Sequence, residues 1–265
     1  MSELFALLDK VKKGGEFVLR DDQYGFNDTL DAVRTARARG TRFDLLDTGL
    51  FSVLELEWLC ETGAHFYGSD DAGRESSDLV RVLKACGRGR SSAAFLVNGA
   101  LEESGSVGPL PPAAPAELGR EGFILHVSNR EHVRDFLRLS ELAEEAHKGG
   151  GFLVYYHHGA ADAGLVELAS RGTRIHLSDK RLQESDLELL SAVLKASRAG
   201  GPKLVLYVEK GMPVRFLKKL FNAGATLLFK TPPHDRDSLM GELERKARRR
   251  SLRPGTYYLH ATFLI

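Results

Sequence analysis

Ten polar residues in this chain each follow a short run of β-branched and large apolar residues: Asp22, Asp47, Asp70, Asn98, Asn129, His157, His158, Asp179, Glu209 and Lys230. If all the strands so marked run parallel, the ten share one edge of the fold. In a single (β/α) barrel that edge is the active-site rim, where Asp and His can hold a divalent metal that activates water. A metal-dependent hydrolase is the catalytic chemistry this pattern permits. Two features stand against it. No His-x-His pair sits on an early strand, and His157 and His158 are adjacent, so on a strand their side chains point to opposite faces.

The elements that must position these residues alternate strictly. From Thr173 to Arg250 the runs around RIHLS, KLVLYV and ATLLF read as strands. Between them Leu187, Leu190, Val193 and Leu194, then Val214, Leu217, Leu220 and Phe221, recur at helical spacing. Gly200, Gly201 and Gly224 stand where helices stop before the next strand. Single helices between strands imply parallel pairing, because a parallel pair needs a long crossover. The first half repeats the pattern. A helix with Ser2 as N-cap and Gly14 as stop precedes EFVL. A second helix, with Leu30, Val33 and Ala36 on one face, precedes RFDLL, and HFYGS and AAFLV follow, so this half offers four strands. Residues 102–121 break the alternation with prolines and glycines and read as a linker. The pattern resumes over 122–250, and residues 251–265 contain TYYLHATFLI, which reads as one extra strand. ETGAHFYGSDD is similar to SRGTRIHLSDK, and SDLVRVLKAC to LSAVLKAS, which favours two units, 1–101 and 122–250.

Bulk properties narrow the function classes. A chain of 265 residues with net charge +1 is neither disordered nor generally nucleic-acid-seeking. Arg245, Lys246, Arg248, Arg249 and Arg250 fall in the last turns of a helix, where the helix dipole favours cations. Nucleic acid is therefore not an expected partner. Cys60 and Cys86 have neither metal-type nor disulfide-type spacing and read as apolar packers. The sequence shows no long apolar span and no apolar leader, so a cytoplasmic protein is expected. His126 and His176 lie inside strands and read as packed residues, and Trp58, near Leu54 and Leu59, reads as core.

From Phe123 to Arg250 the order of elements resembles a response-regulator receiver domain, a flavodoxin-like module. FLKKLFNAGATLLFKTPPHDRDSLMGELERKARRR is similar to that family's helix, G-A turn, strand ending in lysine and proline, and final helix, and LSDKRLQESDLELL to its acceptor aspartate and following helix. The resemblance places Asp179 at the phosphate-acceptor position and Lys230 at the family's lysine. Ser128 and Asn129 replace its acidic pair, and Glu209 its hydroxyl, so a magnesium ion would lack hard ligands and the domain would be degenerate. The first half fits in two registers, one with Asp47 as acceptor and Asn98 in place of the lysine, the other with Asp21 and Asp22 as acidic pair and Asp70 as acceptor. Two tandem flavodoxin-like units, with a single (β/α) barrel as the alternative, are the expected fold. The resemblance implies a non-enzymatic pseudo-receiver of signal transduction, without cofactor, that docks a protein partner or a second copy. The matching surface holds Met212, Arg215, Phe216, Lys219, Phe229, Pro232 and Pro233.

Overall fold

The computed structural model describes residues 3–12, 16–99, 101, 115–197, 204–209, 212–230 and 235–250. The expected strand in 251–265 lies outside these residues, as do Pro232 and Pro233. The chain separates into two compact units, 1–126 with 148–151, and 127–147 with 152–265, so the division falls inside one strand.

The first unit runs α1 (Glu3–Lys12), β1 (Glu16–Arg20), α2 (Phe26–Arg39), β2 (Arg42–Leu46), α3 (Val53–Thr62), β3 (His65–Ser69), a 3-10 turn (Asp70–Ala72), α4 (Ser76–Gly89), β4 (Ala93–Val97) and α5 (Pro115–Glu121), and reaches into β5 (Ile124–Ser128). The four strands expected in this half are present. The seven-residue α5 occupies the end of the segment expected to be a linker. The second unit continues with α6 (Phe136–Lys148), β6 (Phe152–His157), α7 (Gly164–Ser170), β7 (Arg174–Ser178), 3-10 turns at Asp179–Arg181 and Glu184–Asp186, α8 (Leu187–Ala196), β8 (Leu204–Val208), α9 (Val214–Asn222), β9 (Thr226–Phe229) and α10 (Leu239–Arg250).

Local chemistry accounts for these boundaries. Ser52 and Glu55 form a reciprocal cap on α3, the Ser52 hydroxyl accepting from the Glu55 N–H at 3.3 Å and the Glu55 carboxylate from the Ser52 N–H at 2.8 Å. Gly40 ends α2 with φ of 66°, a left-handed cap conformation that glycine adopts without strain. On α4 the buried residues Leu79, Val82, Ala85 and Cys86 recur every three or four positions, which turns one stripe to the core. Every residue of β8 is buried, as expected of a parallel strand covered on both faces. Trp58 departs from its expected place in the core and is 50% exposed. On α3 the buried stripe is Leu56, Leu59 and Cys60, and a helical step of two residues from Leu56 carries Trp58 around to the open side, against Phe26 with ring centroids 5.9 Å apart.

The nine strands form one sheet whose order follows the chain, and every pairing within each unit is parallel. This order overturns the receiver expectation. A flavodoxin-like unit places its first strand between its second and third. Here β6 pairs directly with β7, Tyr155 beside Ile175 and His157 beside Leu177, so β5 does not intervene. In the first unit β1 pairs with β2 and β2 with β3, which rules out both receiver registers. The local motifs survive, but any parallel α/β unit reuses helix, G-A turn and strand.

Candidate active site

Parity along three neighbouring strands assembles the site. On β7, Arg174, His176 and Ser178 share one face, while Ile175, Leu177 and the following Asp179 share the other. The register places Ser178 beside Tyr207 of β8 and Tyr207 beside Leu228 of β9. Two residues further on, Glu209 and Lys230 therefore emerge on the face of Ser178, just past the C-terminal strand ends. The Lys230 N–H continues the ladder to Val208 O at 3.2 Å.

Glu209 is the centre of the group. Ser178 Oγ donates to its Oε1 at 3.0 Å, Lys180 Nζ lies 2.8 Å from Oε2, and Lys230 Nζ lies 3.5 Å from Oε1. The Glu209 side chain is 15% exposed, Lys230 31% and Lys180 60%, so the carboxylate sits low and the two amines rise toward solvent. Burial pushes the Glu209 pKa up, but hydrogen bonds from Lys180 and Ser178 and the charge of Lys230 outweigh it and hold the carboxyl below its ordinary value. Beneath, Lys230 Nζ stands 5.0 Å from the Tyr207 ring centroid. The Tyr207 hydroxyl and His176 Nδ1 are 2.8 Å apart, and the His176 ring packs 4.7 Å from that of Tyr156. Two lysines against one glutamate give these three side chains a summed charge of +1.

Asp179 is on the opposite face and fully buried. Its carboxylate accepts from the Glu209 N–H at 2.7 Å and the Met212 N–H at 3.3 Å, which fixes the β8–α9 loop. The same strap recurs at the ends of the odd strands. Asp21 accepts from the N–H groups of Thr48 (3.0 Å), Leu50 (3.1 Å) and Phe51 (3.3 Å) and from Thr48 Oγ1 (2.5 Å). Asp70 accepts from Asn98 N at 3.0 Å and Gly99 N at 2.7 Å. Asn129 Oδ1 accepts from His158 N at 2.6 Å.

The other strand-end residues are held locally. Asp47 meets Arg74 through Nε at 3.0 Å and Nη2 at 2.8 Å, and that Nη2 also donates to Phe51 O at 2.6 Å. Its hydrogen bond to Asp47 is the largest influence on Arg74 and raises the guanidinium pKa against the opposing effect of burial. Asp22 is exposed and pairs with Arg20 at 2.7 Å. Ser128 Oγ accepts from Arg130 N at 3.1 Å. His157 packs with Tyr155 against Phe136, its Nε2 2.8 Å from Ala160 O, and burial lowers its pKa. Among the described residues no group of three or more His, Cys, Asp or Glu is placed to hold a metal, so the hydrolase alternative has no ligand set there.

The residues of the expected docking face are divided. Met212 and Phe216 are buried at 6% and 2% exposure, Phe229 is half-buried, and Lys219 and Arg215 are exposed, Arg215 pairing with Glu184 at 2.6 Å. His126 and His176 are buried, as expected. Of the site, Glu209 and Lys230 were visible from their strand-end positions. Ser178, Lys180 and Tyr207 were not, although counting every second residue back from Glu209 would have found Tyr207.

No protein-family model matches the sequence, and a search of curated proteins finds no match. Among solved structures the chain is similar to a type I 3-dehydroquinate dehydratase from Clostridium difficile, with 12% identity over 89% of this chain and 93% of that one and a TM-score of 0.40. It is also similar to an N-acetylneuraminic acid synthetase from Leptospira borgpetersenii, with 11% identity over 98% of this chain and 84% of that one and a TM-score of 0.32. These identities and TM-scores carry neither reaction nor substrate to this chain. The pairing of β6 with β7 removes the receiver topology on which a non-catalytic signalling role rested. That role, with its pseudo-receiver surface, is set aside. No helix among the described residues is long and apolar enough to cross a membrane.

Proposed function

We propose that the chain is an enzyme built on a single (β/α) barrel and that it acts on a small anionic oxo compound through the amine of Lys230. Strand order equal to chain order, with parallel neighbours, supports the barrel, whose active sites form at the C-terminal strand ends. The observation that carries the reaction is the lysine amine of β9 set 3.5 Å from a carboxylate of β8 at that edge.

Lys180 is the more exposed amine and receives the substrate anion. As the anion draws Lys180 away, Glu209 loses a charge-assisted hydrogen bond and its proton affinity rises. Glu209 then takes a proton from the Lys230 ammonium. The freed nitrogen attacks the carbonyl carbon, an N–C bond forms, and the C=O electron pair moves to oxygen. That oxygen takes the proton back from Glu209 and leaves as water after a second proton transfer, which yields an imine at Lys230. The Tyr207 ring favours the cationic nitrogen, and Ser178 fixes the carboxylate rotamer.

The test is reductive trapping. The purified chain is incubated with pyruvate, glyoxylate or 2-oxoglutarate, reduced with borohydride and read by intact mass and peptide mapping. A single adduct at Lys230, absent in Lys230→Arg and formed only at higher probe concentration in Lys180→Gln, is expected. No adduct with any probe, or an adduct that survives Lys230→Arg, overturns the reading.

A further inference from the structure

Cys60 and Cys86 take no part in the proposed reaction and lie in the first unit on neighbouring helices, each near its helix C-terminus. Both are free and buried, at 0% and 1% exposure. Several independent contacts bring this part of the two helices close together. The Ser91 hydroxyl donates to Cys60 O at 3.4 Å and to Cys86 O at 3.3 Å, so one side chain touches both residues. Gly89, one turn beyond Cys86, packs against the α3 backbone so closely that a Cβ there would overlap Cys60 O; only glycine permits this approach. Two inter-helix ion pairs bracket the contact: Arg81 meets Glu57 at 3.0 Å through both Nε and Nη2, and Arg88 Nε meets Glu61 at 2.7 Å. Within this clamp the two thiols are near enough that each perturbs the other's proton affinity.

We infer that Cys60 and Cys86 form a redox-sensitive pair that closes to an intramolecular disulfide between α3 and α4 when the protein meets a peroxide. The two sulfurs are not equivalent. Hydrogen bonding from Cys60, reinforced by Ser91 and the Phe66 backbone, outweighs burial and lowers the Cys86 pKa, whereas its bond with Cys86 together with burial raises that of Cys60. Cys86 is the first nucleophile. Its thiolate attacks hydrogen peroxide, the O–O bond breaks, and a sulfenic acid and hydroxide result, the hydroxide taking up the thiol proton as water. Cys60 sulfur then attacks the sulfenic sulfur, an S–S bond forms, and the hydroxyl leaves with the Cys60 proton as a second water. Two thiols and one peroxide thus become one disulfide and two waters. Burial makes the reaction slow and restricts it to a small oxidant.

The experiment exposes the full chain to hydrogen peroxide, quenches with an alkylating reagent in denaturant, and maps peptides without reduction. The expected product is monomeric, lighter by two hydrogens, and contains a 60–86 linked peptide. Its thermal midpoint rises and returns to the starting value with dithiothreitol; Cys60→Ala and Cys86→Ala show neither link nor shift. If both cysteines of the treated wild-type chain are still fully alkylated, or if Cys86 advances to sulfinic acid with Cys60 unlinked, the inference is wrong. Lys230 trapping is scored separately on the reduced protein, so either proposal can fail without the other.

Discussion

The edges of β3–β4 and β7–β8 share one framework with opposite wiring. Asp70 and Asp179 both end an odd strand and accept the backbone N–H of the residue ending the next strand, Asn98 in one unit and Glu209 in the other. The residue after each aspartate then meets that partner's side chain: Asn98 Nδ2 donates to Asp71 at 2.6 Å, and Glu209 accepts from Lys180 at 2.8 Å. In the first unit the carboxylate lies on the odd strand's loop and faces an amide. In the second it lies on the even strand and faces two amines. A strand-end position alone does not make a site, since Asp21, Asp47 and Asp70 have their oxygens occupied by backbone amides or by Arg74. The second unit differs in that its two amines stand 60% and 31% exposed beside the carboxylate.

The largest expected effect lies where the first unit buries charge. Arg74→Leu strands the Asp47 carboxylate, whose side chain is 0% exposed. Breaking a buried pair from one side costs about 3–5 kcal/mol, so the urea midpoint should fall steeply, while Asp47→Asn with Arg74→Leu should recover part of the loss. Equal midpoints for the single and double variants would show that Asp47 is not held by charge.

Next comes a pH effect confined to the first unit. Burial, with the nearby Arg42 charge, pushes His65 down to about 4 from an ordinary 6.5, and its Nδ1 accepts from Ser92 N at 3.0 Å. The unfolded chain therefore binds the proton more readily than the folded one. The associated stability is complete above pH 6.5, is lost as pH falls toward 4, and is level below that, on the order of 3 kcal/mol in all. His65→Asn should flatten unfolding free energy across that window, and an unchanged slope would assign it to other groups.

The straps compare the units directly. Asp70→Ala and Asp179→Ala each leave two backbone N–H groups, three of the four only part-buried, without this acceptor, a loss of about 1–3 kcal/mol in all for each variant. The two losses should match within about 1 kcal/mol by chemical denaturation. A large difference would mean that the two frameworks do unlike work.

The alternation of strands and helices was legible because the apolar period switches cleanly between the two. Strand order was not. Whether β6 lies beside β5 alone or also beside β7 depends on how crossovers pack, and no local motif encodes it. The G-A turn before β9 and the lysine after it suit a receiver and a sequential sheet equally well. At the site, Glu209 and Lys230 were legible as strand-end polar residues, but the meaning of Asp179 was inverted. A buried acid that accepts two amides and a phosphate acceptor present the same letter, and only the face it points to separates them. Trp58 misled for a similar reason, since apolar character does not say which side of α3 it occupies.

The smallest effect on stability is the most informative about function, because it exchanges one wiring for the other. Lys180→Asp with Glu209→Asn gives the second unit the polar pair of the first. Lys180→Asp alone sets two carboxylates together near the surface, and with Lys180 60% exposed the cost should stay below about 1 kcal/mol. In the double variant an amide donor faces the new carboxylate, as Asn98 faces Asp71, and the stability should return to within about 0.5 kcal/mol of the parent. Borohydride trapping should nevertheless be absent, because Lys230 no longer has Glu209 to take its proton and the anion no longer has Lys180. A double variant no more stable than the sum of the singles would show that the two edges are not interchangeable frameworks. Trapping that persists in a stable double variant would move the proton transfer away from Glu209.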